Sequence, residues 1–280
     1  MQTSSYLVTG ASTGIGRATV DKLVHLGAHV WATVRSDVDE RSLKDAHGEK
    51  VSVLRVDVTD LDSVKAAGEA VVKSGPLNGL VNNAGVALPA PLEHLPIETF
   101  RKQLEVNLVG QLAVTQAMLP ALRKAKELNQ TARIVMIGSI GGRIAGPVIG
   151  AYHASKFGLV GLTDSLRAEL APSGIGVFLI EPGAISTPIW ERSTAAGDPL
   201  MDTLSEQAQQ IYAKQIAAAR ANAASAPKRG IPPQRAANLI AKVLTAQRPR
   251  PRYLLGPDAH IASIIARLPY RLRYKLTAGK

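Results

Sequence analysis

No cysteine occurs in the chain, which removes disulfides, thiol nucleophiles and thiolate metal sites from consideration, and no metal is expected. Long apolar runs are missing too. No uncharged apolar stretch of about 18 residues is present, so a membrane-spanning helix is not expected. Aromatic residues make up only 4% of the chain, and no recognition motif accompanies the high pI, so nucleic acid is not an expected partner. The first residues run directly into TSSYLVTG without a basic region or a small-residue cleavage site, which leads us to expect a soluble, cytoplasmic protein. Acidic residues are scarce in one region. Residues 227–280 hold 12 of the 33 Lys/Arg and a single acid, Asp258, so the body is balanced at 21 of each sign and the tail carries the whole formal charge of +11.

Glycine is plentiful where it has a use. An apolar strand pattern over Ser4 to Thr9 is followed by Gly10-Ala11-Ser12-Thr13-Gly14-Ile15-Gly16, and then by an apolar-periodic helix over Ile15 to Leu26. Strand, glycine turn and helix together form the context of a dinucleotide-binding loop. The glycines let backbone approach a pyrophosphate seated at the positive helix N-terminus. A second strand is read over Ala28 to Val34. In NAD-binding folds an acid near its end takes the ribose 2′-hydroxyl. Here the strand ends Val34-Arg35 instead. A guanidinium suits the 2′-phosphate of NADP, whereas a carboxylate at position 34 would repel it. Asp37 and Asp39 are expected to open the next helix. NADP(H) is therefore the expected cofactor, with NAD(H) as the alternative.

Further strands are read over Val51 to Val56, Leu77 to Val81, Arg133 to Ile137, Val177 to Ile180 and Arg252 to Leu255, alternating with helical patterns at Leu61 to Val72, Pro96 to Lys124, 151–171 and Pro232 to Ala246. The alternation predicts a Rossmann-type α/β fold: one doubly wound parallel sheet with helices on both faces. After the fifth strand comes SIGGRIAGPVIGAYHASK, Ser139 to Lys156. Tyr152 and Lys156 are spaced to share a helix face. A phenol alone loses its proton near pH ~10, and a neighbouring ammonium would favour the phenolate. Ser139 supplies a hydroxyl for a carbonyl oxygen. His153 points about 100° away around the helix and reads as packing or surface.

Ser139, Tyr152-x-x-x-Lys156, the Thr9-Gly-x-x-x-Gly-x-Gly loop and Asn82-Asn83-Ala84-Gly85 together resemble the short-chain dehydrogenase/reductase family. The resemblance covers about residues 4–187 motif by motif. It implies reversible hydride transfer between the dinucleotide and an alcohol or carbonyl, with Tyr152 as proton donor and acceptor. Lys156 would hold the nicotinamide ribose, and the Asn107 backbone carbonyl would hold a water linking Lys156 to solvent. An asparagine inside a helix is otherwise most often a surface residue. By the same resemblance Asp57-Val58 borders the adenine, Asn83 and Gly85 line a ribose, and Pro182-Gly183-Ala184-Ile185-Ser186-Thr187 contacts the nicotinamide amide. Asp57 and Asp60 are both candidates to begin the following helix.

Residues 188–230 depart from the nucleotide-binding pattern and read as a helical substrate lid. Ile140, Val148, Ile149, Ile185, Ile189 and Trp190 are expected beside the catalytic hydroxyls, favouring a lipophilic substrate. ATVR after the second strand, PIW after the Pro-Gly segment and the long tail are most similar to the steroid and retinol branch. A 3-oxoacyl carrier-protein reductase and a non-catalytic NADP sensor or scaffold are the alternatives. The resemblance further implies a homodimer or homotetramer. The basic extension 257–280 has three competing uses: packing near the site, a subunit contact, or weak attachment to an anionic membrane surface. Pro269 is expected to split it into two short helices. Residues 1–280 are read as one domain.

Overall fold

The computed structural model describes residues 3–277; residues 1–2 and the last three residues of the basic extension lie outside it. Seven strands, β1 (Ser5–Val8), β2 (His29–Val34), β3 (Val51–Arg55), β4 (Gly79–Asn82), β5 (Arg133–Ile137), β6 (Gly176–Pro182) and β7 (Arg252–Leu255), form one sheet in the order β3-β2-β1-β4-β5-β6-β7. Every pairing is parallel. The order reverses between β1 and β4, which opens a crevice at their carboxyl ends, where ligands of such sheets gather.

The central strands are continuous apolar runs because both faces are covered. Helices α1 (Gly14–His25), α2 (Asp37–His47) and α9 (Pro233–Thr245) cover one face, burying Val20, Leu23, Leu43, Ile240 and Leu244 against Val8, Val30 and Ile180. On the other face lie α3 (Leu61–Ser74), α5 (Gly110–Glu127) and α6 (Gly150–Leu170), with Val71, Met118, Leu122 and Leu159 packed on Leu7, Leu80, Ile134 and Leu179. Ser36 caps α2 by accepting from the Asp39 amide. Asp60 caps α3 through the amides of Asp62 and Ser63, and Asp57 instead closes its own turn on Thr59.

The helix expected over 96–124 is interrupted. It runs as α4 (Ile97–Leu104), a π-helical turn over Glu105–Val109, and then α5. Such single π turns inside helices are frequent at functional sites. Within it Asn107 is fully buried, unlike most asparagines inside helices. Val34 is buried as well, only 2% exposed. The end of β2 therefore offers Arg35, which is exposed, and not position 34 to a ligand.

The lid region folds as α7 (Ile189–Asp202) and α8 (Glu206–Arg229). Met201, Ala208 and Ile216 from these helices, with Leu204 from the turn between them, bury themselves against Ala90, Leu95, Val148 and Ala151. The extension forms α10 (Pro257–Ile265) and α11 (Tyr270–Thr277), divided at Pro269 as expected.

Candidate active site

The glycine loop lies at the mouth of the crevice. Gly10 and Gly14 have φ of 62° and 59°, a left-handed backbone that L side chains rarely adopt. A Cβ at Gly16 would come within 2.2 Å of the Gly10 carbonyl oxygen, so only glycine fits. Ser12, Thr13 and Ile15 are partly buried around the turn. Thr13 precedes α1 without a side-chain cap, and the amides of the helix's first turn lack intrahelical partners. Close-packed glycines, an uncapped helix start and exposed Arg35 fit a dinucleotide phosphate.

The asparagines after β4 brace this loop. Thr9 Oγ1 accepts from the Asn83 and Ala84 amides, both at 2.9 Å. The Asn83 side chain donates to the carbonyls of Thr9 at 2.8 Å and Gly10 at 3.1 Å. Asn82 is fully buried and donates to Thr115 Oγ1. Gly85 sits by Asn107, and Val58 packs on Gly110 at the start of α5. Desolvation is the largest influence on Asp57 and acts upward, but the Thr59 amide and hydroxyl, with Arg35 and Lys102, outweigh it and hold the carboxyl below its usual range.

Ser139 follows β5 after one residue, Gly138, and accepts from the Gly141 amide at 3.0 Å. Across from it on α6 are Tyr152 and, one turn on, Lys156, whose Nζ is 5.8 Å from the phenol ring centroid. Lys156 is 6% exposed, and Nζ donates to the Ile137 carbonyl at 2.9 Å. Burial lowers its pKa to about 8. Burial also dominates at Tyr152, pushing the phenol up against the opposing hydrogen bond with Ser139. The expected downward pull of the ammonium on the phenol is thus not the leading influence here.

Asn107 reaches this cluster from below. Its amide donates to the Val86 carbonyl at 2.9 Å and to Ser155 Oγ at 3.0 Å, and its oxygen accepts from the Val86 amide at 2.8 Å. His153, expected at a packing or surface position, is a brace of the site. The His153 ring is buried and bridges the Gly141 carbonyl at 2.9 Å and the Gly146 amide at 3.1 Å. It thereby fastens the loop between Ser139 and Tyr152. Val148 in that loop has φ 72°, a strained value for a β-branched residue. Its burial and the bond from the Ala90 amide to its carbonyl, at 2.8 Å, hold it there.

The fourth wall is the segment Pro182 to Thr187. The Thr187 methyl lies 3.0 Å from where a Gly14 Cβ would stand, so this segment meets the glycine loop. Ile185 is buried, and its carbonyl accepts from Trp190 Nε1 at 2.7 Å. Trp190 is thereby turned toward an open cavity of about 820 Å³ between α7 and α8, which Glu191, Asp198 and Arg220 also line. None of Ser139, Tyr152 and Lys156 lines that cavity.

Comparison with known proteins agrees with this geometry. The sequence profile of the short chain dehydrogenase family matches residues 5–197. The chain is 37% identical over 263 residues to 3-amino-tetrahydro-pyrrolizinone reductase of Xenorhabdus hominickii, covering 92% of this chain and 89% of the relative. It is 34% identical over 254 residues to the NADPH-dependent 3-dehydrocapnine reductase of Ornithobacterium rhinotracheale, covering 90% and 87%. With retinol dehydrogenase 16 of Homo sapiens it shares 32% over 262 residues, 91% of this chain and 81% of the relative. A solved short-chain dehydrogenase from Streptomyces avermitilis superposes with a TM-score of 0.76 at 27% identity, over 95% and 94% of the two chains. The chain belongs to the short-chain dehydrogenase family, on its retinol-dehydrogenase-like branch, and is an NAD(P)-dependent oxidoreductase of alcohols and carbonyls.

Proposed function

We propose that the protein interconverts a lipophilic secondary alcohol and the corresponding ketone or aldehyde with NADP(H), using Tyr152 as general acid and base. The observation that carries this reading is the meeting of Ser139, Tyr152 and Lys156 between the glycine loop and the Pro182–Thr187 wall. The dinucleotide, when bound, would supply the hydride in reduction and accept it in oxidation. Ser139 orients the substrate oxygen by a hydrogen bond. Tyr152 gives that oxygen a proton in reduction and takes it in oxidation. Lys156 restores the Tyr152 proton and holds the nicotinamide ribose, and the backbone of Asn107, in the π turn, holds the water that connects Lys156 to solvent. A raised phenol and an ammonium lowered to about 8 move the two groups' proton affinities apart from their nearly equal ordinary values, so the ammonium readily returns a proton to the phenolate.

NADP(H) is favoured because Arg35 is exposed at the end of β2, while Asp39 is bonded to Ser36 and Asp37 is paired with Arg55. Gly10, Ser12, Thr13, Gly14, Ile15 and Gly16 would hold the pyrophosphate, Asp57 and Val58 the adenine, Asn83 and Gly85 the ribose. The NADPH-dependent relative supports the same choice, and two relatives named as reductases favour the reductive direction. The apolar lid on Val148 and Ala151 favours a lipophilic substrate. A panel of lipophilic ketones and alcohols, assayed with both cofactors and beside a 3-oxoacyl thioester, tests the reading. Turnover of the thioester alone, or of nothing, would replace it.

We place the enzyme in the cytoplasm as a homodimer or homotetramer, to be checked by light scattering. Among the described residues no helix is long and apolar enough to cross a membrane. A weaker contact is part of the proposal: Ile261, Ile264, Leu272 and Leu276 are exposed beside Arg267, Arg271 and Lys275. This composition suits an anionic lipid surface.

A further inference from the structure

The basic tail has one acid, and that acid is spent on the active site. Asp258, at the start of α10, accepts from the Ala184 amide at 2.6 Å through one carboxylate oxygen and from the Ala259 amide at 3.0 Å through the other. The carboxylate fills the space where a side chain on Gly183 would go: a Cβ there would meet Asp258 Oδ1 at 2.0 Å. The Ala184 carbonyl is taken from the other side by the Ile231 amide at 3.1 Å. Both polar groups of Ala184 are therefore committed, one of them to α10.

The same helix reaches the opposite wall. Glu181 is fully buried, yet it lies between two guanidiniums. Arg143, four residues after Ser139, binds it through Nε at 2.8 Å and Nη2 at 2.5 Å, and Arg252 binds it through Nη2 at 2.9 Å. The remaining Arg143 nitrogen, Nη1, donates to Ser263 Oγ on α10 at 3.1 Å. Ser263 is itself buried, as are Ala259 and Ala262 on the same face of α10.

We infer that α10 is a clamp on the active site, in which Asp258 and, through Arg143, Ser263 are positioning residues for the segments 182–185 and 139–143. Asp258 sets the height of the Pro-Gly wall. Ser263 limits the swing of Arg143 and so of the turn that carries Ser139. Neither residue touches reacting atoms. The inference rests on reading Pro182–Thr187 as the nicotinamide wall, and it adds that the chain beyond β7 is needed to hold that wall in register.

The test uses the full chain as wild type, Asp258→Ala, Asp258→Asn and Ser263→Ala. Each is titrated with NADPH by fluorescence, assayed for reduction of a generic diketone, and followed by thermal unfolding and by hydrogen exchange at the Ala184 amide. Asp258→Ala is expected to weaken NADPH binding or turnover by about tenfold or more, since small misplacements of a site wall are costly, and to expose the Ala184 amide to exchange. Asp258→Asn keeps a carbonyl oxygen for that amide and should recover most of the loss. Ser263→Ala should lower kcat with little change in NADPH affinity. Wild-type behaviour in both alanine variants overturns the clamp, and so does a loss that asparagine does not restore and that tracks the unfolding midpoint. Should Asp258→Ala fail to fold, Ser263→Ala decides alone: a reduced kcat at unchanged midpoint supports the clamp, an unchanged kcat overturns it. A wild type that neither binds NADPH nor reduces any carbonyl would instead defeat the proposed function, and the clamp would then be judged on Ala184 exchange.

Discussion

Lys156 spends its hydrogen bond on Ile137, whose carbonyl lies 2.9 Å from Nζ at the end of β5. The ammonium is thus tied to the sheet two residues before Ser139 and is almost fully desolvated. Its pKa of about 8, below an ordinary lysine, has a sign that can be checked. Between the folded and unfolded values the unfolded chain binds more protons, so stability rises with pH across that window. Relative to Lys156→Met, wild type should gain up to ~3 kcal/mol between about pH 8 and pH 10.5, at about 1.36 kcal/mol per unit. Urea unfolding of both proteins along a pH series measures it. A difference that does not change with pH would show that the charge is better solvated than its burial implies. The same variant should lose turnover, because the relay from Tyr152 needs the amine.

Tyr152→Phe removes one hydroxyl and keeps the ring against Gly141. Loss of the proton donor should lower kcat by about 10²–10⁴-fold. NADPH affinity should hold, since the glycine loop and Lys156 are untouched. Steady-state kinetics with fluorescence titration separate the two. A variant that turns over at the wild-type rate would end the role proposed for this residue.

Cofactor choice is best tested at Arg35, because Val34 is buried and an aspartate there would damage the core before it could select a cofactor. Arg35→Ala should lower kcat/KM for NADPH by about ten- to a hundredfold, the worth of a charged hydrogen bond, and leave NADH nearly unchanged. Equal losses with both cofactors would mean that Arg35 does not meet a 2′-phosphate.

The strands were legible because their signals are local. Arg133–Ile137 and Arg252–Leu255 are apolar runs bounded by polar or turn-forming residues, and the structure keeps those bounds. The π turn was not legible. Glu105–Val109 continues the same apolar periodicity as a plain helix, and the extra residue in the turn appears only in the hydrogen bonding. Glu181 stands beside the Pro-Gly segment in the sequence, while its partners Arg143 and Arg252 are 38 and 71 residues away in the chain. No pattern within a window of a few residues pairs groups at that separation. The strain at Val148 was hidden for a related reason: a bond from Ala90, on another loop, holds a residue that local preference would place elsewhere.

His153 was visible only as a neighbour of Tyr152. Both ring nitrogens have backbone partners, and Nε2 accepts from the Gly146 amide only while the imidazole is neutral. Burial, its largest influence, lowers the pKa from the ordinary value of 6.5. The unfolded chain therefore takes up a proton first as pH falls. Stability from this group is present above about pH 6.5 and is lost as the medium is acidified through the lower folded value. His153→Ala should flatten that acid limb and raise hydrogen exchange in residues 141–148. If its acid limb matches wild type, another group sets the loss.

The two halves of the tail should separate experimentally. One face of α10 is buried through Ala259, Ala262 and Ser263, while Ile261 and Ile264 on the other are 60% and 65% exposed. In α11 Tyr270 stacks on Tyr274 and lies under Arg273, which leaves Leu272, Leu276, Arg271 and Lys275 exposed. Truncation after Leu268 should therefore spare folding and turnover. Truncation after Asp258 should cost soluble yield or activity, because it removes the Ala259 amide and Ser263. Each cation near an anionic leaflet is worth about 1 kcal/mol, so loss of α11 should lower flotation with phosphatidylserine vesicles. Residual binding should fall further as salt rises. Flotation that survives truncation after Leu268 would place the lipid contact on Ile261 and Ile264 of α10. A wild type that never floats would leave the tail to its role at the active site.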